Sequence, residues 1–325
     1  MISSNIEEAV ILLNDGEVVA FPTETVYGLG AIAFNANAVA KIFERKGRPH
    51  FDPLIVHAAT TDRAFALCAN VTKIAERLAE AFWPGPITLV LPKIESIPDI
   101  VTAGLPSVAL RVPAHPVAQA LLMAVNAPLA APSANRFGKV SPTTAEHVLQ
   151  DLGSRVPLIL EGGPCQRGVE STIISLMDEH PRLLRPGSIA LEEICAIIGP
   201  IQAPDANGDI RLSPGQLKSH YAPSTPMQPL SDALPPGKGE RVGLLALTSP
   251  SIAGYAAIEV LTEAGDLREA ATHLFAALRR LDAQQLDRIV CEYAPAHGLG
   301  LAINDRLSRG CQPKQTELRE PPAPK

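Results

Sequence analysis

The stretch KIFERKGRPHFDPLIVH, residues 41 to 57, passes from a helical pattern through a glycine into a short apolar strand. Four cations fall within its first eight positions: Lys41, Arg45, Lys46 and Arg48. Gly47 stands where a helix-ending glycine belongs, so Lys46 and Arg48 are predicted to project from a loop beside the strand. Arginine and lysine in such a loop are typical phosphate ligands, whereas the first two cations, one turn apart, are typical of an exposed helix face.

Helical and strand patterns alternate in the same way on both sides of this stretch, from residue 1 to residue 202. Short runs rich in β-branched residues predict strands in EVVAF, PLIVH, ITLVL, SVALRV, APLAA, PLILEG and STIISL. Helical spacing predicts helices in ANAVAKIFERKG, TDRAFALCANVTKIAERLAEAF, HPVAQALLMAV and TTAEHVLQDLG, and a capping box of Ser4 and Glu7 predicts another near the N-terminus. The domain is therefore predicted to be mixed α/β, with helices flanking one large twisted sheet.

The composition changes between residues 203 and 240, where proline, glycine and polar residues predominate without any period. We interpret this segment as a semi-rigid linker, within which SPGQLKSHYAP is too specific to be a spacer alone. Residues 241 to 315 then follow a βαβαβα order, which predicts a small parallel α/β domain of Rossmann-like type. Residues 316 to 325 are predicted to form a frayed tail.

The composition of the 325-residue chain fits a protein of two globular domains. No apolar run is long enough for a membrane helix and no secretory leader is evident, so we expect a cytoplasmic protein without membrane contact. The five cysteines have no CxxC spacing, which favours reduced thiols over disulfides or a zinc site. A net charge of −6 argues against a broad nucleic-acid surface, so the basic loop is expected to hold a local anion.

The segment FPTETVYGLGAIA contains Gly28, Gly30 and Ala33, which formally match a G-x-G-x-x-A dinucleotide fingerprint. That fingerprint needs a helix directly after the turn, but the β-like AIAFNAN follows instead. We therefore interpret the two glycines as positions where another backbone passes closely. Close packing of the backbone does not explain the polar residues 23 to 25. These residues follow the end of an apolar strand, a position where ligand-binding sites of sheet proteins are common.

Further polar residues interrupt apolar strands or lie at their ends. They comprise His57, Arg111, Ser133, Asn135, Ser141, Ser171, Thr172 and Arg185. No spacing indicates a Ser-His-Asp set, a metal triad or a reactive cysteine, and the sequence has no glycine-rich phosphate loop ending in GK[ST]. The residues predict a polar, cation-lined cleft that binds a phosphorylated ligand without a covalent nucleophile.

Taken in their order along the chain, these motifs resemble those of the YrdC-like family of threonylcarbamoyl-AMP synthases. The resemblance covers nearly all of residues 10 to 190, through FPTETVYGLG, KIFERKGRPHFDPLIVH, FWPGPITLVL, VALRVPAHP, APSANRFGKVSPTTAEHV, GGPCQRGVESTII and LLRPGSI. SPGQLKSHYAP followed by a C-terminal α/β module is similar to the longer, two-domain form of the family. His50 and Asp52 depart from the family pattern, which often has lysine and asparagine at these positions.

The resemblance implies a nucleotidyltransferase that uses L-threonine, bicarbonate or CO2, and ATP with Mg2+ to form L-threonylcarbamoyladenylate and diphosphate. The amine of threonine becomes a carbamate whose oxygen attacks the α-phosphorus, a step that needs positioning and charge compensation. The product would pass to a tRNA threonylcarbamoyltransferase complex. There it would supply N6-threonylcarbamoyladenosine at position 37 of tRNAs that read codons beginning with A.

The same resemblance implies the binding residues. L-Threonine would contact Thr25, His57, Arg111, the backbone of Ala131, and Ser171. ATP would contact Lys46, Arg48, Asp52, Ser107, Ser133, Ser141, Arg185 and Tyr221. Lys46, Arg48 and Arg111 would be the catalytic cations, with Arg111 pairing with the threonine carboxylate. The linker would fold back over the cleft, bringing Tyr221 and its neighbour His220 onto the nucleotide and excluding water. No metal ligand is assigned.

Two other functions fit parts of the pattern. An RNA-binding module of this fold would bind double-stranded RNA, but the acidic charge balance and the lack of aromatic stacking runs argue against more than weak tRNA binding. A carbamoyltransferase of the hydrogenase-maturation type contains a related domain. Such proteins also carry zinc-finger cysteines and an acylphosphatase module, neither of which this sequence has.

Overall fold

Two β-sheets of unequal size organise the computed structural model, which describes residues 1–202, 220–250 and 253–312. The larger sheet has ten strands: β1 (Ile2–Ser3), β2 (Val19–Phe21), β3 (Gly28–Ile32), β4 (Ile55–His57), β5 (Ile87–Pro92), β6 (Ser107–Arg111), β7 (Leu129–Ala130), β8 (Leu158–Leu160), β9 (Thr172–Ser175) and β10 (Arg182–Arg185). Their spatial order is β1-β8-β2-β3-β7-β4-β6-β5-β9-β10, with both parallel and antiparallel neighbours. This confirms the predicted large mixed sheet.

Helices connect the strands of the larger sheet. They are α1 (Ile6–Asn14), α2 (Ala36–Lys46), α3 (Thr61–Phe65), α4 (Lys73–Phe82), α5 (Asp99–Thr102), α6 (Pro116–Val125), α7 (Ala145–Leu152) and α8 (Leu191–Ile198). The prediction of one helix from residue 61 to residue 82 is wrong. Thr72 starts a new helix there, because its hydroxyl accepts a hydrogen bond from the amide of Ala75 (3.2 Å).

The ends of α1 and α2 test two sequence predictions. The predicted capping box is wrong: Asn5, rather than Ser4, caps α1 by accepting from the backbone amide of Glu8 (3.2 Å). The helix-ending glycine is confirmed, because α2 stops at Lys46 and Gly47 has a positive φ of 64°. The chain therefore turns sharply between the two cations singled out in the sequence.

Helices cover the two faces of the large sheet unequally. On one face, α2 and α4 pack on alternate strand residues such as Val56 to form the main core. On the other face, α1 and α6 cover the half of the sheet around β2, β7 and β8. The other half carries a small apolar cluster in which Ile55 and Ala109 are cross-strand partners. Because side chains alternate along a strand, His57 and Arg111 lie on this same face.

Gly28 and Gly30 lie within β3, antiparallel to both β2 and β7. No helix follows them directly, which confirms that the sequence is not a dinucleotide fingerprint. A Cβ atom at Gly30 would lie 2.6 Å from the ring of Phe21, and one at Gly28 would lie 3.4 Å from Cβ of Ala131. Gly30 is therefore closely approached, but by a side chain and not by another backbone as interpreted, whereas Gly28 has only ordinary contacts and borders the cleft described below.

A smaller parallel sheet forms the second domain. Its strands are β11 (Met227–Pro229), β12 (Val242–Ala246), β13 (Ala257–Val260) and β14 (Arg288–Cys291), in the order β11-β14-β12-β13. Helices α9 (Leu267–Asp282) and α10 (Gly300–Gly310) pack against them. This confirms the small parallel α/β module, although β11 lies inside the segment interpreted as a linker. Residues 203–219 of that segment and the predicted tail, 316–325, lie outside the described residues.

The second domain packs on loops of the first domain. Helix α9 approaches Gly168 so closely that a Cβ atom there would lie 2.3 Å from the carbonyl oxygen of Thr272. Arg279 of the same helix forms an ion pair with Asp151 (2.6 Å). None of the helices within the described ranges has the length and apolar character of a membrane span.

Candidate active site

A cleft lies over the part of the sheet that α1 and α6 leave uncovered. It contains about 520 Å³ of space not occupied by atoms, part of which is open to solvent. Most of the predicted binding residues line it: Thr25, Arg48, His57, Arg111, Ala131, Ser133, Ser171, Arg185 and Tyr221. The fold thus assembles in one place residues that are far apart in the sequence.

The other predicted residues lie behind the lining or away from it. Lys46 donates from Nζ to the backbone carbonyl of Ser133 (2.5 Å), and Ser141 donates to the carboxylate of Glu170 (2.6 Å). Asp52 pairs with an arginine of the lining, as described below. Ser107 begins β6 on the face that carries the cleft, but it is not one of the lining residues.

Arg111 projects from the end of β6 and is held by three partners. It donates to Glu24 (2.7 Å), to the hydroxyl of Thr25 (2.9 Å) and to the carbonyl of Gly85 (3.3 Å). A guanidinium has five N–H groups, so two remain for a ligand. Burial alone would raise the pKa of Glu24, but the charge and hydrogen bond of Arg111 reverse this and lower it. Arg111 is therefore both oriented and still able to bind an anion.

His57 is buried at the end of β4, and its Nδ1 has no hydrogen-bond partner within the described part of the chain. Burial, reinforced by the positive charge of Arg111, lowers the pKa of His57 to about 3. The imidazole is therefore neutral near pH 7, with one nitrogen able to donate and the other able to accept a hydrogen bond. Such a group suits a hydroxyl ligand better than an anionic one.

The neutral state of His57 has a consequence for stability. The unfolded chain takes up a proton near pH 6.5 and the folded chain only near pH 3, so the free energy of unfolding should fall as the pH drops between these values. The expected slope from this residue is about 1.4 kcal/mol per pH unit. Denaturant titrations of the wild type and His57→Gln at pH 7, 6 and 5 measure it. Equal slopes for both proteins would mean that His57 is not buried in the neutral form.

Arg48 follows Gly47, and its side chain lines the cleft. Its guanidinium donates to the carbonyl of Pro53 (2.9 Å) and forms an ion pair with Asp52 (2.9 Å). Burial raises the pKa of Asp52, although Arg48 and Lys46 oppose this effect. Burial, together with the charge of Arg48, lowers the pKa of Lys46 well below its ordinary value. Two desolvated cations thus lie side by side with a single carboxylate, which favours the arrival of another anion.

The two cations that precede them have a different role. Lys41 and Arg45 lie on the outer side of α2, and both pair with Glu17 at distances of 2.5 and 3.6 Å. Their side chains are about one-third exposed, consistent with the helix face predicted for them. Of the four cations of residues 41 to 48, two therefore lie on the surface, Arg48 lines the cleft, and Lys46, which ends α2 and does not project from a loop as predicted, is buried behind the lining.

Ser171 and Arg185 form a second polar group in the lining of the cleft. Arg185 donates to the carbonyl oxygen of Ser171 (3.0 Å) and to its hydroxyl (3.3 Å). The same hydroxyl lies 2.7 Å from the hydroxyl of Thr88 in β5. Thr88 was not anticipated from the sequence, because a threonine within an apolar strand gives no signal of its own.

His220 and Tyr221 close one side of the cleft. Tyr221 has a positive φ of 60°, which is unfavourable for a side chain with a Cβ atom, and its ring stacks on Phe275 of α9 at 5.7 Å. The ring of His220 contacts Phe137 at 5.9 Å. The predicted placement of this pair at the cleft agrees with the structure.

Glu170 and Arg306 were missed by the sequence reasoning. Glu170 immediately precedes Ser171, so the rule that polar residues at strand entrances mark a site could have included it. Arg306 lies within the helical pattern LGLAINDRLSRG, where a cation normally indicates an exposed face and gives no signal. In the structure Arg306 is completely buried and pairs with Glu170 at 2.9 Å.

The carboxylates near the cleft do not form a metal centre by themselves. Glu24, Asp52 and Glu170 are each paired with an arginine. Within the part of the chain that the structure describes, no group of three or more His, Cys, Asp and Glu residues is placed to hold a metal ion. A divalent cation that enters with a nucleotide would therefore depend mainly on phosphate and water oxygens.

Family models and solved structures match both domains. A family model described as "Telomere recombination" (Sua5_yciO_yrdC) matches residues 11–187, and one described as "Threonylcarbamoyl-AMP synthase, C-terminal domain" matches residues 189–311. The threonylcarbamoyl-AMP synthase of Bacillus subtilis is 45% identical over 321 residues, covering 94% of this chain and 92% of the relative.

Two crystal structures of Sua5 from Pyrococcus abyssi have the same two-domain fold. The complex with L-threonine has a TM-score of 0.85 and 39% identity, and the match covers 94% of each chain. A variant in which a histidine and the tyrosine after it are replaced by alanine has a TM-score of 0.86 and 38% identity, over 94% of this chain and 92% of that one. The resemblance thus extends across both domains.

Proposed function

Because this chain belongs to the threonylcarbamoyl-AMP synthase family, we propose that its cleft converts L-threonine, bicarbonate or CO2, and ATP into L-threonylcarbamoyladenylate and diphosphate. The enzyme is a nucleotidyltransferase whose product serves tRNA modification. The adenylate passes to a tRNA threonylcarbamoyltransferase complex, which modifies adenosine 37 of tRNAs that read codons beginning with A. Weak tRNA binding accompanies this transfer.

The observation that carries the proposal is that one cleft combines the oriented Arg111 with two further buried arginines, Arg48 and Arg185. The remaining N–H groups of Arg111 bind the carboxylate of threonine, as in other arginine–carboxylate pairs. Neutral His57 and the hydroxyl of Thr25 contact the polar groups of the amino acid. Ser171 and the backbone of Ala131 complete this end of the cleft. The L-threonine in the related P. abyssi structure supports this substrate.

The nucleotide occupies the other end, where Lys46 and Arg48 compensate the charge of the triphosphate. Burial lowers the pKa of Lys46, and the negative charge of the arriving phosphates opposes this effect. Arg185, Ser133 and Ser141 contact the rest of the nucleotide, and Asp52 and Ser107 lie next to these contacts. ATP enters with Mg2+, which supplies further charge compensation and is held mainly through phosphate and water oxygens.

Positioning selects which group of threonine reacts. While Arg111 holds the carboxylate, the amine is free to combine with CO2 and form a carbamate. A carbamate oxygen then attacks the α-phosphorus in line with the departing diphosphate, and no protein nucleophile takes part. His220 and Tyr221 cover the nucleotide and limit the access of water to the adenylate.

The proposal predicts that diphosphate release depends on all three substrates. A coupled diphosphate assay should detect turnover with ATP, L-threonine and bicarbonate, and only background when either threonine or bicarbonate is omitted. Buffers must be degassed, because dissolved CO2 replaces added bicarbonate. Turnover that persists unchanged without any source of CO2 would contradict the carbamate mechanism.

A further inference from the structure

Arg306 connects the second domain to the cleft. It belongs to α10, and it is the largest of the completely buried side chains in the described residues. Its Nε donates to Glu170 (2.9 Å), and its Nη1 donates to the carbonyl of Pro186 (2.7 Å) and to Asp305 (2.8 Å). Glu170 and Pro186 both belong to the first domain. A single guanidinium therefore crosses the domain boundary and reaches the lining of the cleft.

Glu170, the carboxylate paired with Arg306, lies where its negative charge would act on an anionic ligand. Glu170 lines the cleft, and its second carboxylate oxygen accepts a hydrogen bond from Ser141 (2.6 Å). A buried carboxylate beside a triphosphate would repel it strongly, because few water molecules screen the two charges. Arg306 compensates this negative charge from the side away from the ligand.

Arg306 also supports the aromatic residue that closes the cleft. Its guanidinium lies 5.2 Å from the centre of the Tyr221 ring, which also stacks on Phe275 and contacts the ring of His220. The backbone amide of His220 donates to the carbonyl of Arg309 (3.4 Å), also in α10. Because Tyr221 adopts an unfavourable φ, its conformation depends on such surrounding contacts.

We propose that Arg306 is a positioning residue for ATP, supplied by the second domain: it neutralises Glu170 and holds Tyr221 at the nucleotide end of the cleft. The proposal rests on the assignment of the cleft to ATP and threonine. It gives the second domain a defined part in the reaction, because the nucleotide site is incomplete without α10. The threonine end contains no residue of α10, so threonine binding should depend on Arg306 much less than ATP binding does.

The test is to measure binding of ATP and of L-threonine separately by calorimetry for the wild type and Arg306→Met. We expect the dissociation constant for ATP to rise at least about 30-fold, since a buried carboxylate is left unpaired. The constant for threonine should stay within about threefold of the wild-type value. Arg288→Met is the control, because Arg288 pairs with Glu240 through two hydrogen bonds in the same domain, nearer the surface and without lining the cleft.

A double variant distinguishes a positioning role of Arg306 from a general contribution to the stability of the fold. Glu170→Gln combined with Arg306→Met removes both charges of the pair, and it should restore ATP affinity to within about tenfold of the wild type. Absence of rescue, or equal losses for ATP and threonine, would overturn the proposal. If Arg306→Met does not fold, Arg306→Lys, which keeps the charge but cannot reach all three acceptors, should still weaken ATP binding selectively. The calorimetric titrations measure binding and do not require turnover. A wild-type protein that binds both ligands but forms no adenylate would therefore contradict only the proposed function.

Discussion

Arg111→Met is expected to abolish formation of the adenylate and to lower the free energy of unfolding by about 3–5 kcal/mol. Both effects follow from the position of Arg111 between Glu24 and the cleft. The substitution removes the proposed partner of the threonine carboxylate, and it leaves the buried carboxylate of Glu24 without its cation. Chemical denaturation measures the first-domain stability, and the diphosphate assay measures turnover.

The double variant Glu24→Gln, Arg111→Met distinguishes the two roles of Arg111. Removing both charges should recover most of the lost stability, because no unpaired buried charge remains. Turnover should stay at background, since the partner for threonine is still absent. Recovery of turnover together with stability would show that Arg111 supports the fold and does not bind the substrate.

Arg48→Ala should weaken ATP binding about 100-fold, while threonine affinity changes little. The loss combines a missing phosphate partner with an unpaired Asp52 in the same place. Arg45→Ala is the matched control from the same helix end, because Arg45 pairs with Glu17 on the surface and not with a residue of the cleft. Calorimetric titration of both variants with each ligand gives the comparison. Equal losses for ATP and threonine in Arg48→Ala would indicate general damage to the cleft.

Features that depend on neighbouring residues in the chain were predictable from the sequence. The apolar run that ends at His57 and the glycine at position 47 fixed a helix, a turn and a strand through local preferences. The absence of a dinucleotide-binding helix directly after the glycines of β3 was also predictable, because the residues that follow them favour a strand. In both cases the local structure is determined by interactions within a few residues of the chain.

Features that depend on contacts between distant segments were not predictable in the same way. Arg306 has the spacing of a solvent-exposed cation in a helix, and only the docking of the second domain buries it against Glu170. The break between α3 and α4 required the hydroxyl of Thr72 to compete with a continuous helical pattern. Strand β11 joins the small sheet from a segment with no period of its own.

Charge balance in the cleft would allow an acidic protein to hold the nucleotide proposed for it. Arg48, Arg111 and Arg306 are each paired with a carboxylate of the same buried region. These pairs hold the guanidinium groups in fixed orientations before any ligand arrives. Preorganised charges of this kind stabilise a transferring phosphoryl group more effectively than flexible surface cations, because little reorganisation is needed during the reaction.

Mass spectrometry of the product formed from ATP, L-threonine and 13C-labelled bicarbonate tests the central claim most directly. If Arg111 holds the carboxylate and the amine is carbamoylated, the adenylate should carry the heavy carbon. An adenylate whose mass lacks the carbamoyl group altogether would instead mean that the carboxylate of threonine attacks the α-phosphorus, as in ordinary amino-acid activation. That result would contradict the arrangement of threonine and ATP proposed for this cleft.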